Sequence, residues 1–275
     1  MITVKHIEII GCKEKLISID FRYIPFDIPL VPVIYIHGYK GFKDWGANNL
    51  IADAFARKRF FFLKFNFSHN GVSSENPLDF VDLVAFGNNN YMIELKELLI
   101  VIDWLENADL PIDFSQLSII GHSRGGGIAL LGSVQDPRIK KTVTWASVSD
   151  FSTRFPLEKL QWKSLGVSHV YNGRTKQMMP LYYQFYESFI ENIEILDLPS
   201  QCKKIKQAVL IVHGEDDQSV SFSEAEFLNH IIPFSILQPI QNTGHTFGAI
   251  HPYKSSDIPL GLNMAIEASV KFIRG

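Results

Sequence analysis

"SIIGHSRGGGIALLGS" (residues 118–133) joins an apolar run, a His-Ser-Arg triplet and three consecutive glycines. Residues 116–121 have the character of a buried strand, and residues 126–134 are small and apolar, as in a helix packed close to a sheet. Ser123 therefore falls at a sharp strand-to-helix turn. A residue at the apex of such a turn takes a strained backbone, and the positions two before and two after approach too closely for side chains. Gly121 and Gly125 occupy those positions, which gives the pattern G-x-S-x-G. The hydroxyl then stands clear of the sheet at a helix N-terminus, whose dipole favours developing negative charge. Ser123 reads as a nucleophile rather than as an incidental serine in a glycine-rich turn.

The surrounding chain supplies a sheet for this turn. Residues 3–10 and 15–23 alternate polar and apolar, as an antiparallel hairpin does. From residue 31 onward the strand segments (31–38, 60–67, 116–121, 207–214) are continuous apolar runs, as expected of strands buried on both faces. Helical spacing lies between them, at 47–59, 91–107 and 126–134, and a helix closes the chain. The expected fold class is α/β: a mostly parallel, doubly covered sheet with an N-terminal antiparallel hairpin. Residues 150–206 break the rhythm with many aromatics and no buried-strand signal. That stretch is too long for a plain connection, so residues 1–275 read as one domain in which 150–206 is a lid or cap insertion, its aromatics forming a small core of their own.

Composition narrows the function. A net charge of −3 gives no electrostatic reason for a nucleic-acid or anionic-membrane partner. No apolar run reaches the roughly 18–20 residues that span a bilayer. The alternating N-terminus reads as a strand rather than a signal peptide. The distant pair Cys12 and Cys202 reads as thiols of a reducing compartment. The expected location is cytoplasmic.

A serine nucleophile needs a base, the base needs an orienting acid, and the developing oxyanion needs two donors. His245, in a loop after the last expected strand, is the candidate base. Asp216 and Asp217 follow the penultimate strand in "HGEDDQSV", and one of them is the candidate acid; Asp150 is a less favoured alternative. The chain order Ser, Asp, His, each beyond its own strand, is that of the α/β-hydrolase layout. The backbone N–H groups of Arg124 and of Tyr39, in the loop "YIHGYKGFKDWG", are the candidate oxyanion donors. The Arg124 side chain is read either as a contact to a substrate carboxylate or as half of a salt bridge. His37, His122 and His213 are read as packed beneath the loops rather than as metal ligands.

The motifs His37-Gly38-Tyr39, Gly121-His122-Ser123-Arg124-Gly125-Gly126, His213-Gly214-x-x-Asp217-x-x-Val220 and Gly244-His245 fall in one order. On these the chain resembles the α/β-hydrolase superfamily over nearly its whole length, and within it the dienelactone-hydrolase-like and cinnamoyl (feruloyl) esterase-like groups. The resemblance selects Asp217 over Asp216. It departs from dienelactone hydrolases proper in having Ser123 where they use cysteine. It implies a serine hydrolase cleaving small-molecule carboxylic esters through an acyl-enzyme, without cofactor or metal. Peptidase, thioesterase and acyltransferase activities share the layout, and a non-catalytic binding protein on this fold is the alternative of another class.

Overall fold

The central strands are apolar at every position because each feeds two cores. In β4 (Phe60–Phe65), Phe60 and Phe62 point into one core while Phe61, Leu63 and Phe65 point into the other. Val33 and Tyr35 against Ile34 and Ile36 divide β3 (Val31–Ile36) in the same way, and Leu210 and Val212 against Val209 and Ile211 divide β9 (Ala208–Gly214). Burying each such side chain stabilises the fold by about 1.5–3 kcal/mol. Lys64 is the exception in β4: it is fully buried, paired with Asp20 at 2.8 Å and with Asp44, and Lys43 completes the cluster at 3.2 Å from Asp20.

The structure, a computed structural model, describes residues 1–275. Its strands are β1 (Thr3–Ile10), β2 (Leu16–Tyr23), β3 (Val31–Ile36), β4 (Phe60–Phe65), β5 (Ser118–His122), β6 (Lys141–Trp145), β7 (Val167–Asn172), β8 (Gln177–Tyr182), β9 (Ala208–Gly214) and β10 (Ser235–Ile240). Its helices are α1 (Asn48–Arg57), α2 (Leu83–Gly87), α3 (Tyr91–Asn107), α4 (Arg124–Gln135), α5 (Lys159–Leu165), α6 (Gln184–Glu191), α7 (Ile193–Leu196), α8 (Leu198–Cys202), α9 (Phe222–Ile231) and α10 (Leu260–Arg274). The main sheet runs β1-β2-β4-β3-β5-β6-β9-β10. The hairpin β1–β2 is antiparallel and β2 pairs antiparallel with β4; every later pairing is parallel. Helices α1 and α10 cover one face, and α3, α4 and α9 cover the other. No helix is long and apolar enough to cross a membrane. Cys12 and Cys202 are both free thiols.

Two features of residues 150–206 differ from expectation. The segment contains a hairpin, β7–β8, separate from the main sheet. Its aromatics do not form a core of their own. Phe151, Phe155, Trp162, Phe185 and Phe189 join the large core beneath α3 and α4, with Tyr91 of α3 stacked on Phe151 at 3.9 Å. The reason is geometric: a short two-stranded hairpin cannot enclose bulky rings, so they pack on the nearest apolar helix face.

Close approach also fixes where α4 starts. A Cβ on Gly125 would lie 2.5 Å from the carbonyl oxygens of both Ile36 and His37, which are backbone atoms unable to move aside. Gly125→Ala is expected to cost about 1–3 kcal/mol in chemical denaturation. Gly173→Ala, whose added Cβ meets one ring carbon at 3.9 Å, should change stability by less than about 0.5 kcal/mol.

Candidate active site

Ser123 has φ 57° and ψ −120°, a conformation outside the usual range for a residue with a side chain. It persists because the surroundings hold it. Its N–H donates to the Trp145 carbonyl at 2.9 Å, and its own carbonyl accepts from Gly126 at 2.9 Å and Val148 at 3.3 Å. A Cβ on Gly121 would lie 2.7 Å from the Gly126 Cα. The bend read from the sequence is therefore present, and the Ser123 hydroxyl is carried to the C-terminal edge of the sheet.

Three loops at that edge bring a relay together. The Ser123 hydroxyl donates to His245 Nε2 at 3.0 Å, and His245 Nδ1–H donates to Asp217 Oδ2 at 2.8 Å. Asp217 Oδ1 accepts from the N–H groups of Ser219 (2.8 Å) and Val220 (2.9 Å), so the same residue closes its own turn and holds the histidine. His213 Nε2–H, which donates to the Val220 carbonyl at 2.9 Å, also lies 3.3 Å from Asp217 Oδ2. Burial pushes the Asp217 carboxyl up, but hydrogen bonds from His213, His245 and Val220 outweigh it and hold the group well below the usual carboxylate range. Asp216 is exposed, and Asp150 accepts from Ser152 instead of meeting His245.

His122 and His37 act as struts beneath these loops. Burial lowers His122 to about 3, and its Nε2–H donates to the His245 carbonyl at 2.9 Å, bracing the loop that carries the base. Burial lowers His37 to about 4; its Nδ1–H donates to the Gly38 carbonyl at 2.9 Å.

The two expected backbone donors are left without acceptors in the protein. The Arg124 N–H is at the first position of α4, where no intrahelical acceptor exists. The Tyr39 N–H makes no hydrogen bond within the protein. Their side chains also meet. The Arg124 guanidinium lies 4.2 Å over the Tyr39 ring and pairs with buried Glu94 of α3 at 3.1 Å. Of the two readings of Arg124, the salt bridge is the one formed. Sequence reasoning missed Glu94, because helical periodicity assigns a glutamate to the solvent face.

Ser123 and His245 open onto two cavities that also share Tyr39 and Lys40. One, of about 350 Å³, is walled by Tyr91, Val148, Phe151, Val170, Leu181 and Phe185. The other, of about 400 Å³, has fewer hydrophobic residues in its lining, with Asn48, Asn172, Arg174 and His251 among its walls; it is called the polar cavity for those side chains, although most of its wall surface is apolar. Residues 150–206 line both.

Two outcomes follow from these environments. The ring resonances of His37 and His122 should not titrate between pH 5 and pH 8 in NMR, since burial keeps both rings neutral there. Glu94→Ala leaves the buried Arg124 guanidinium without its counter-charge and is expected to cost about 3–5 kcal/mol in urea unfolding. Removing the more exposed Glu106 from Arg138 should cost about 1 kcal/mol or less.

No protein-family model matches the chain. It is 26% identical over 200 residues to the uncharacterized hydrolase YugF of Bacillus subtilis (strain 168), covering 60% of this chain and 72% of that protein. Among solved structures it is similar to Est1E from Butyrivibrio proteoclasticus with ferulic acid bound, at 17% identity and a TM-score of 0.74 over 98% of both chains. It is also similar to a dienelactone hydrolase from Anabaena variabilis ATCC 29413, at 13% identity and a TM-score of 0.65 over 99% of this chain and 97% of that one. The sheet order, the strained turn at Ser123 and these likenesses together give the conclusion that the chain has the α/β-hydrolase fold.

Proposed function

We propose that the protein is a serine hydrolase acting on carboxylic esters of small molecules. The observation that carries this reading is the unbroken relay Ser123–His245–Asp217, with the two backbone donors beside it and cavities on either side of the hydroxyl. His245 Nε2 takes the proton as Ser123 Oγ bonds to the ester carbonyl carbon. The carbonyl oxygen becomes an oxyanion held by the N–H groups of Tyr39 and Arg124. As the C–O bond to the alcohol breaks, His245 returns the proton to the leaving oxygen. Water, deprotonated by His245, then attacks the acyl-enzyme and releases the acid and free Ser123. Asp217 holds His245 in the Nδ1–H tautomer and stabilises the imidazolium.

The apolar cavity suits an apolar or aromatic acyl group, and residues 150–206 act as its cap. The YugF likeness supports hydrolysis, and the likeness to Est1E with ferulic acid bound supports an aromatic carboxylic acid as the acyl portion.

A fluorophosphonate probe should label the wild-type protein at Ser123 and leave Ser123→Ala unlabelled, with p-nitrophenyl-ester turnover lost in the variant. Asp217→Asn should lower kcat by roughly 10⁴-fold with much less effect on KM. A panel of thioesters and amides run beside the esters identifies the preferred bond. Equal ester turnover by Ser123→Ala would overturn the assignment.

A further inference from the structure

The polar cavity beside Ser123 has a composition that the ester reading alone does not require. None of its lining residues is an aspartate or glutamate, although the whole chain carries a net charge of −3. Donors among its side chains include those of Lys40, Arg174, Asn172 and His251. Lys40 is half-buried at the junction of the two cavities, and no carboxylate lies within 4.0 Å of its ammonium. Arg174, at the hairpin turn, meets exposed Asp79 only at 3.4 Å and the Leu78 carbonyl at 3.4 Å. Buried Asn172 accepts the Arg174 N–H through Oδ1, which leaves its amide N–H₂ without a protein partner. His251 Nδ1 accepts the Gly46 N–H at 2.8 Å, so the neutral ring carries its proton on Nε2. Burial lowers both His251 and Lys40 from their ordinary values, which fits cations and donors held away from water without a counter-charge.

The apolar cavity makes the contrast. It too contains two arginines, but Arg124 is paired with Glu94 and Arg154 with Glu224. Both arginines on that side are neutralised by the protein itself. Lys40, which the two cavities share, has no carboxylate partner, and Arg174, on the polar side, meets only exposed Asp79. The Lys40 ammonium lies over the Tyr39 ring at 5.6 Å but has no counter-charge, and a half-buried ammonium without one is costly unless a ligand completes it.

We infer that the polar cavity binds an anionic oxygen group, a carboxylate or a phosphate, carried by the portion of the ester that lies beside Lys40 and Arg174. This rests on the assignment of Ser123 as the nucleophile. Lys40 meets the charge next to the scissile bond, and Arg174, Asn172 and His251 supply hydrogen bonds around it. The protein therefore selects esters that carry a negative charge at one end and an apolar acyl or alkyl group at the other.

The test compares matched esters in two arms. In the alcohol arm, 4-carboxyphenyl butyrate and 4-(butyryloxy)phenyl phosphate are set against neutral 4-carbamoylphenyl butyrate. In the acyl arm, the mono-4-nitrophenyl ester of glutaric acid is set against 4-nitrophenyl pentanoate. In one arm the anionic ester is expected to exceed its neutral counterpart by about tenfold in kcat/KM at low ionic strength, with the preference shrinking as salt is added. That ratio should fall by at least about fivefold in Lys40→Gln and in Arg174→Gln. The carboxylate and phosphate probes distinguish the two anions. Neutral esters turned over as fast as the anionic ones in both arms, or a preference untouched in both variants, would overturn the inference. Failure of the nucleophile assignment looks different: no fluorophosphonate adduct and no turnover of any ester. Calorimetric titration of the Ser123→Ala protein with 4-carboxyphenyl butyrate and its carbamoyl analogue covers that outcome. Tighter binding of the anion supports the site, and equal binding removes it.

Discussion

The backbone at Ser123 is held in a conformation that an isolated chain would avoid, and the sheet is what holds it. The hydrogen bond from its N–H to Trp145 ties the turn to β6, while the oxygens of Ile36 and His37 in and after β3 bear on Gly125. The residue is thus clamped between the two strands that flank β5. A side chain at Gly125 would press on the end of β3, and one at Gly121 would press on the first turn of α4. The placement of the hydroxyl, the start of α4 and the spacing of the central strands are one geometric problem with one solution.

A second constraint is the number of polar groups buried near that turn. Burial keeps the rings of His37 and His122 neutral, and each is used as a strut, donating to a backbone carbonyl in a loop that must not move. Asp217 stays ionised because its two oxygens are filled by Ser219, Val220, His213 and His245. Arg124 keeps its charge beside Glu94 and under the Tyr39 ring. That contact links the side chains of the two residues expected to supply the oxyanion donors, so α3 takes part in positioning both.

The strands, Ser123 and the candidate His245 were legible because their signals are local, while Asp217 was separated from Asp216 only by the family resemblance. A strand buried on both faces must be apolar throughout, and a turn without room for Cβ must carry glycine. What escaped was what depends on partners distant in sequence. The hairpin β7–β8 has one covered face and exposes Tyr171 and Met178, so it carries no buried-strand signal. The aromatics of residues 150–206 could be read as apolar but not assigned to a core, since their partner Tyr91 lies in α3. Glu94 and Glu97 are buried on α3, where Glu97 accepts from the backbone of Cys12 and Ser68; a helical wheel gives no warning of either. The two readings of Arg124 could be separated only once Glu94 was located.

The hairpin lends its turn to one cavity and its strands to the other. Asn172 and Arg174 face the polar side, while Val170 and Leu181 face the apolar side. Neither set belongs to the sheet that holds Ser123, Asp217 and His245. Under the proposed function, the two ends of a ligand are met by different parts of the hairpin, so substitutions in its turn retune one end and substitutions along its strands the other, with the relay at Ser123 left in place.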